Sequence, residues 1–236
     1  MIAFESVAVL VEGSPGGAPG APDVAILSGV DLVLTERRIA VIGANGSGKS
    51  TLARLVNGLV LPTAGRVLVD GLDTARDGAA VRRRVGFVFT DPDAQLVMPT
   101  PREDIALSLR RLHVDAAARD ARVLAVLERF GLGRLADVSV HALSGGQKQL
   151  LALAGVLATE PAVLVCDEPT TLLDLRWRRV VDDLLDSLEQ RVLLVTHDLE
   201  AAATADRVLV VDGGRIVADG AAPAAVDAYR ARMAVR

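Results

Sequence analysis

Between the short run Ile39-Ala40-Val41-Ile42 and a stretch with helical spacing (Leu52, Leu55, Val56, Leu59) lies Gly43-Ala44-Asn45-Gly46-Ser47-Gly48-Lys49-Ser50. A β-branched run that ends in glycine reads as a buried strand, so a glycine-rich turn must lead from strand directly into helix. The spacing fits G-x-x-x-x-G-K-[ST] in the context that pattern requires. Its glycines permit positive-φ turns that aim several backbone N–H groups into one concavity, and the helix N-terminus adds a field favourable to anions. The loop is expected to cradle phosphates through Gly43, Asn45, Gly46, Ser47, Gly48, Lys49, Ser50 and Thr51. Lys49 is expected to reach the β- and γ-phosphates and neutralise charge there, and Ser50 to offer its hydroxyl to magnesium. A glycine turn without a ligand leaves the lysine unexplained, because every other basic residue except Lys148 is an arginine. A dinucleotide loop needs G-x-G-x-x-G; Gly46-Ser47-Gly48 begins it, but Thr51 stands where the last glycine belongs.

The rest of the chain alternates strands with helices. Ile2 to Val11 and Val24 to Leu34 read as strands, and the Gly/Pro-rich stretch 13–22 between them as a flexible surface loop. Further strands are expected at Arg66 to Asp70, Val85 to Phe89, Ala162 to Cys166, Arg191 to Val195 and Arg207 to Val211. From Thr90 to about Thr159 the pattern is helix-rich. Asp115 is placed to cap a helix from Ala116 to Phe130 that Gly131 closes, Asp174 to cap Leu175 to Leu188, and Asp198 to cap the turn after His197. Such alternation predicts an α/β fold with a mostly parallel sheet covered on both faces. Gly213-Gly214 between two apolar runs adds a hairpin.

Composition narrows the partners. With 236 residues, 51% hydrophobic and 24% charged, the chain suits one domain, with or without a sizeable insertion. A net charge of -4 offers no basic field for nucleic acid. The single Cys166 forms no disulfide within the chain, points to a reducing compartment, and reads as a small apolar strand residue. No run approaches the roughly 18 apolar residues of a membrane span, the longest being Leu150 to Ala158. No secretory signal opens the chain, so membrane contact is expected through a partner.

A magnesium nucleotide needs a second acidic anchor, and Val163-Leu164-Val165-Cys166-Asp167-Glu168 supplies an apolar strand ending in two carboxylates. Asp167 is expected to hold magnesium through water, and Glu168 to be the base that orients the attacking water. Taken alone, a strand ending in a solvated acidic turn reads equally well. The third element is Leu143-Ser144-Gly145-Gly146-Gln147. Ser144 followed by Gln147 is a capping-box pattern, and Gly145 and Gly146 leave N–H groups bare at the start of a helix through Leu157.

With these three elements the chain resembles the ATP-binding-cassette ATPases over nearly its whole length. The resemblance implies a P-loop nucleotide-hydrolase fold in a single domain. Its core would be residues 1–89 and 159–236, with N-terminal antiparallel strands and a helical insertion at about 90–158. It implies that Ser144, Gly145, Gly146 and Gln147 of one subunit close on the ATP held by another subunit's phosphate loop. His197 matches the histidine that contacts the γ-phosphate, and Thr171-Leu172-Leu173-Asp174 the loop that crosses the dimer interface. His113 and His141 read as ordinary surface residues. Two positions depart from the family. Thr90 replaces a glutamine that touches magnesium, and a threonine hydroxyl still offers an oxygen but with shorter reach. Val11 stands where an aromatic residue stacks on adenine, and losing that contact costs on the order of 1 kcal/mol unless Phe4 or a partner residue substitutes.

Phe89-Thr90-Asp91-Pro92-Asp93-Ala94-Gln95-Leu96, Met98-Pro99-Thr100 and Glu103-Asp104 are similar to the N-P-D-x-Q stretch of energy-coupling-factor importers, the V-M-P-T form most to the biotin type. That likeness implies ATP and magnesium as cofactors and a second ATPase subunit, as a homodimer. It also implies an integral membrane coupling subunit, a substrate-capture subunit, and a peripheral place on the cytoplasmic face of the membrane. A cobalt, nickel or other vitamin importer, and a soluble cassette acting in iron–sulfur assembly, remain as alternatives.

Overall fold

The computed structural model describes residues 1–11, 23–110 and 115–234; the stretch 13–22 and His113 lie outside them. In chain order β1 (Ile2–Val11), β2 (Val24–Leu34) and β3 (Arg38–Ile42) precede α1 (Lys49–Val56), β4 (Ala64–Val69), β5 (Leu72–Asp73), α2 (Gly78–Arg84) and β6 (Val85–Val88). Next come α3 (Pro101–Leu109), α4 (Ala116–Arg129), α5 (Gly145–Leu157), β7 (Val163–Asp167) and α6 (Leu175–Ser187). The chain ends with β8 (Arg191–Val195), α7 (Leu199–Ala203), β9 (Arg207–Asp212), β10 (Arg215–Gly220) and α8 (Ala222–Ala234). The expected caps form: Asp115, Asp174 and Asp198 each accept a hydrogen bond from an N–H in the first turn of α4, α6 and α7. Gly131 closes α4 with a left-handed φ of 68°.

The chain divides into two compact units, Met1–Val85 with Arg191–Arg236, and Gly86–Gln190. In the first, an antiparallel sheet has the order β2-β1-β4-β5. A register shift follows Phe4, where Ser6 takes a φ of 49° and donates its N–H to Asp31 Oδ1 at 2.7 Å. A second sheet places β3 between β8 and β9, parallel to both, and β10 returns antiparallel to β9 through the Gly213-Gly214 turn. Alternate residues of β3 and β9 (Ala40, Ile42, Val208, Val210) pack on Ala202, Ala222, Ala225 and Val226 from α7 and α8. Arg207 at the start of β9 grips Asp219 of β10 with two bonds of 2.6 and 2.7 Å and also reaches Glu36 and the Val33 carbonyl. Paired and hydrogen-bonded carboxylates of this kind tie chain segments far apart in sequence.

In the second unit α5 lies so close to β6 that a side chain at Gly86 would overlap Val156. β7 is buried throughout, Cys166 included. Pro101 at the first position of α3 and the Thr100 cap start that helix, which brings Asp104 inward. Asp104 Oδ1 accepts from the N–H groups of Val97 and Met98 at 3.1 and 3.2 Å. Burial pushes its carboxyl above the usual 3.8, and the two N–H groups oppose that shift only in part. The ionised form therefore weakens the fold: stability falls as pH rises from the unfolded value through the raised folded one, and the penalty is constant above both. Asp104→Asn keeps the acceptor without the charge, so its urea midpoint at pH 7 should equal or exceed that of the parent, with the difference shrinking as pH falls towards and below the unfolded value. A lower midpoint at pH 7 would contradict this.

Candidate functional site

In the first unit residues 43–48 form the turn from β3 into α1 that the sequence predicts. β3 is buried from Ile39 to Ile42, and Gly43, Gly46 and Gly48 take φ values of 149°, 75° and 106°, which L side chains rarely adopt. Gly48 is also required by space, since a Cβ there would come 2.8 Å from the Ile26 carbonyl oxygen and from Leu27. It serves as N-cap of α1 and has no side chain to satisfy the first-turn N–H groups, which suits an anionic ligand. Lys49 is 5% exposed, and its Nζ donates to the carbonyls of Gly43 and Ala44, both at 2.9 Å. His197 is exposed just after β8, whose Val195 pairs with Val41 next to the loop.

In the second unit Asp167 ends β7 and is 2% exposed. Glu168 then takes a φ of 52° immediately before Pro169, a backbone state that costs a non-glycine residue about 1–3 kcal/mol. The turn takes Glu168 out of the strand alternation, and its Oε2 accepts from Thr171 Oγ1 at 2.9 Å. Thr90 Oγ1 donates to the Asp167 carbonyl at 2.7 Å, so the hydroxyl joins the ends of β6 and β7. The capping box at α5 is complete: Ser144 N–H donates to Gln147 Oε1 at 2.8 Å and Gln147 N–H to Ser144 Oγ at 3.3 Å. The second lysine, Lys148, binds the Asp93 carboxylate at 2.7 and 3.0 Å. Gln95 lends its amide to Phe89 N–H and the Ala152 carbonyl at 3.3 and 3.1 Å. These links fasten the 93–95 segment to α5, a contact that no local sequence signal announces.

A family model described as ABC transporter matches residues 27–171. The chain belongs to the ABC transporter ATPases. This cassette is similar to the biotin transport ATP-binding protein BioM of Rhizobium etli, 48% identical over 204 residues that cover 86% of this chain and 91% of that protein. It is similar also to the energy-coupling factor transporter ATP-binding protein EcfA1 of Symbiobacterium thermophilum, 47% identical over 207 residues, 84% of this chain and 72% of that one. Among solved structures it resembles cbiO1 from Clostridium perfringens, part of the ABC transporter complex cbiONQ. There the TM-score is 0.80 at 29% identity, over 98% of this chain and 93% of that one. The two sheets and the helices of the cassette are the mixed α/β fold of that family, and the chain is an ATP-hydrolysing transporter subunit.

The family binds ATP, and the residues of this cassette fit a magnesium triphosphate. Ser47 Oγ is buried and lacks a hydrogen-bond partner among the described residues, and a side chain at Gly43 would press on it at 3.0 Å. Ser50 in the first unit carries a hydroxyl and Asp167 in the second a carboxylate, each an oxygen donor of the kind magnesium accepts. For adenine the cassette offers less. Val11 is aliphatic and 50% exposed, whereas Phe4 is 2% exposed in the core and so is not free to stack on a base. Among the described residues no helix is long and apolar enough to cross a membrane.

Proposed function

We propose that this cassette drives an energy-coupling-factor type importer, with biotin as the solute. The observation that carries the reading is a groove of about 530 Å³ in the second unit, lined by Leu96, Val97, Met98, Pro99, Val140 and Lys148 among others. Its Val97 is 68% exposed, and the Asp104 carboxylate fixes the backbone beneath it. An apolar side chain held outward on a pinned loop suits an amphipathic helix supplied by a membrane subunit. The names of the relatives from R. etli and S. thermophilum support the same reading. Purification from detergent-solubilised membranes should recover an integral coupling subunit and a biotin-binding membrane protein. Recovery of a metal-ion capture protein, or of soluble iron–sulfur assembly proteins alone, would overturn the biotin assignment or the importer.

The proposed cycle is closure of a homodimer on two ATP molecules at the cytoplasmic face of the membrane. The Gly43–Thr51 loop and Lys49 hold the phosphates, and the partner's helix end at Ser144 to Gln147 covers the γ-phosphate. Ser50 would offer its hydroxyl, and Asp167 and Thr90 their oxygens, to magnesium, which would supply neutralisation of phosphate charge. Glu168 accepts a proton from the water whose oxygen bonds to the γ-phosphorus while the bond to the bridging oxygen of ADP breaks. His197 contacts the γ-phosphate and registers its loss. Reopening of the dimer is the mechanical output. Because Val11 replaces the stacking aromatic, GTP should displace bound ATP at concentrations within about fivefold of ATP itself, the size of a stacking contact. A preference for ATP well beyond that in a competition assay would contradict the role given to Val11.

A further inference from the structure

Gly146 does not need to be glycine for its backbone, which is helical in the first turn of α5. What it lacks is room. A Cβ at that position would overlap the indole of Trp177, whereas the neighbouring Gly145 faces open space. The two glycines of Leu143-Ser144-Gly145-Gly146-Gln147 therefore differ: Gly145 leaves clearance on the outside, and Gly146 admits an aromatic ring from within the subunit.

Trp177 is the chain's only tryptophan and lies in the first turn of α6. Its N–H donates to Asp174 Oδ1 at 2.9 Å, so the residue that seats on Gly146 is held by the cap that ends the Thr171 to Asp174 loop. At the other end of that loop Thr171 Oγ1 donates to Glu168 Oε2, and within it Leu173 N–H donates to the Thr170 carbonyl at 3.1 Å. These contacts and the four-residue loop between them join Glu168, Thr171, Asp174, Trp177 and Gly146, all inside the second unit.

We infer that Trp177 is a positioning residue for ATP hydrolysis, its ring bracing the Gly146 turn of α5 against the loop that carries Glu168. The inference rests on the proposed closure of that turn on a partner's nucleotide. A brace of this kind acts on the closed, reactive arrangement and leaves the phosphate loop of the same subunit untouched. Its loss should appear in kcat more than in KM.

The test is a double-mutant cycle on the full chain with its membrane partners. Trp177→Ala should lower kcat about tenfold, within what small misplacements cost, with KM for ATP within about twofold of the parent. Trp177→Phe, which keeps a ring on Gly146, should restore most of that loss. Gly146→Ala should lower kcat in the parent background and much less in the Trp177→Ala background, because the collision partner is gone. Equal damage from Gly146→Ala in both backgrounds overturns the inference, as does a Trp177→Ala protein with unchanged kcat or with its loss confined to KM. If Trp177→Ala fails to fold, the tryptophan's own emission decides on the parent and on Glu168→Gln. Addition of MgATP, but not ADP, should shift the emission, and an unchanged spectrum in a protein that demonstrably pairs on ATP overturns the inference. Absence of pairing and of phosphate release in the parent protein would instead strike the proposed cycle itself, so the two failures are distinct.

Discussion

Glu168→Gln should suppress ATP turnover about 10²- to 10⁴-fold, the range that a general base contributes, while MgATP binding stays within about threefold of the parent. The substitution keeps the size of the side chain and its ability to accept from Thr171 Oγ1, but a neutral amide does not take a proton from water. The left-handed turn at Glu168 belongs to the backbone and is equally open to glutamine, so the loop should survive. ATP that is bound and not cleaved then keeps the two copies together. Phosphate release and the elution volume with MgATP measure both effects: release should collapse and a paired species accumulate. Turnover within threefold of the parent would remove Glu168 from the role of base.

Lys49→Ala should act at the preceding step, weakening nucleotide binding about 10²- to 10³-fold, the size expected for one or two hydrogen bonds from a charged donor. The ammonium is already held in the loop by the carbonyls of Gly43 and Ala44, so little side-chain freedom remains to be lost when phosphate arrives. Arginine should not rescue it, although the chain uses arginine nearly everywhere else. A planar guanidinium needs more room than this buried position offers. Titration with a fluorescent ATP analogue should show the loss directly. Unchanged affinity in Lys49→Ala, with only turnover reduced, would mean that the lysine acts in the transition state alone.

The elements to which chemistry is assigned in the proposed cycle were legible because their signals are local. A β-branched run, spaced glycines and one lysine mark the turn from β3 into α1, and aspartates directly before apolar periodic runs mark the starts of α4 and α6. Elements without such contrast were not legible. α2 buries only Val81 and ends in Arg82, Arg83 and Arg84, and α8 buries Ala222, Ala225 and Val226, small residues that barely stand out from the polar face. β4 begins at Ala64, ahead of the expected Arg66, because Gly65 lets its backbone press against Glu5 and Ser6 of β1. Thr90, expected as a weak magnesium donor, gains from the structure a bond to the Asp167 carbonyl, a contact between residues far apart in sequence. The seat of Trp177 on Gly146 is of the same kind.

The two helix starts differ in who completes them. At α5 the polypeptide braces its own terminus, Ser144 and Gln147 each accepting the other's N–H, so this turn keeps its shape without a ligand. At α1 a bare glycine stands in the same place, and completion is left to a guest. Starvation for nucleotide should thus loosen the amides around Lys49 first in hydrogen exchange, and leave the docking end of the molecule ready.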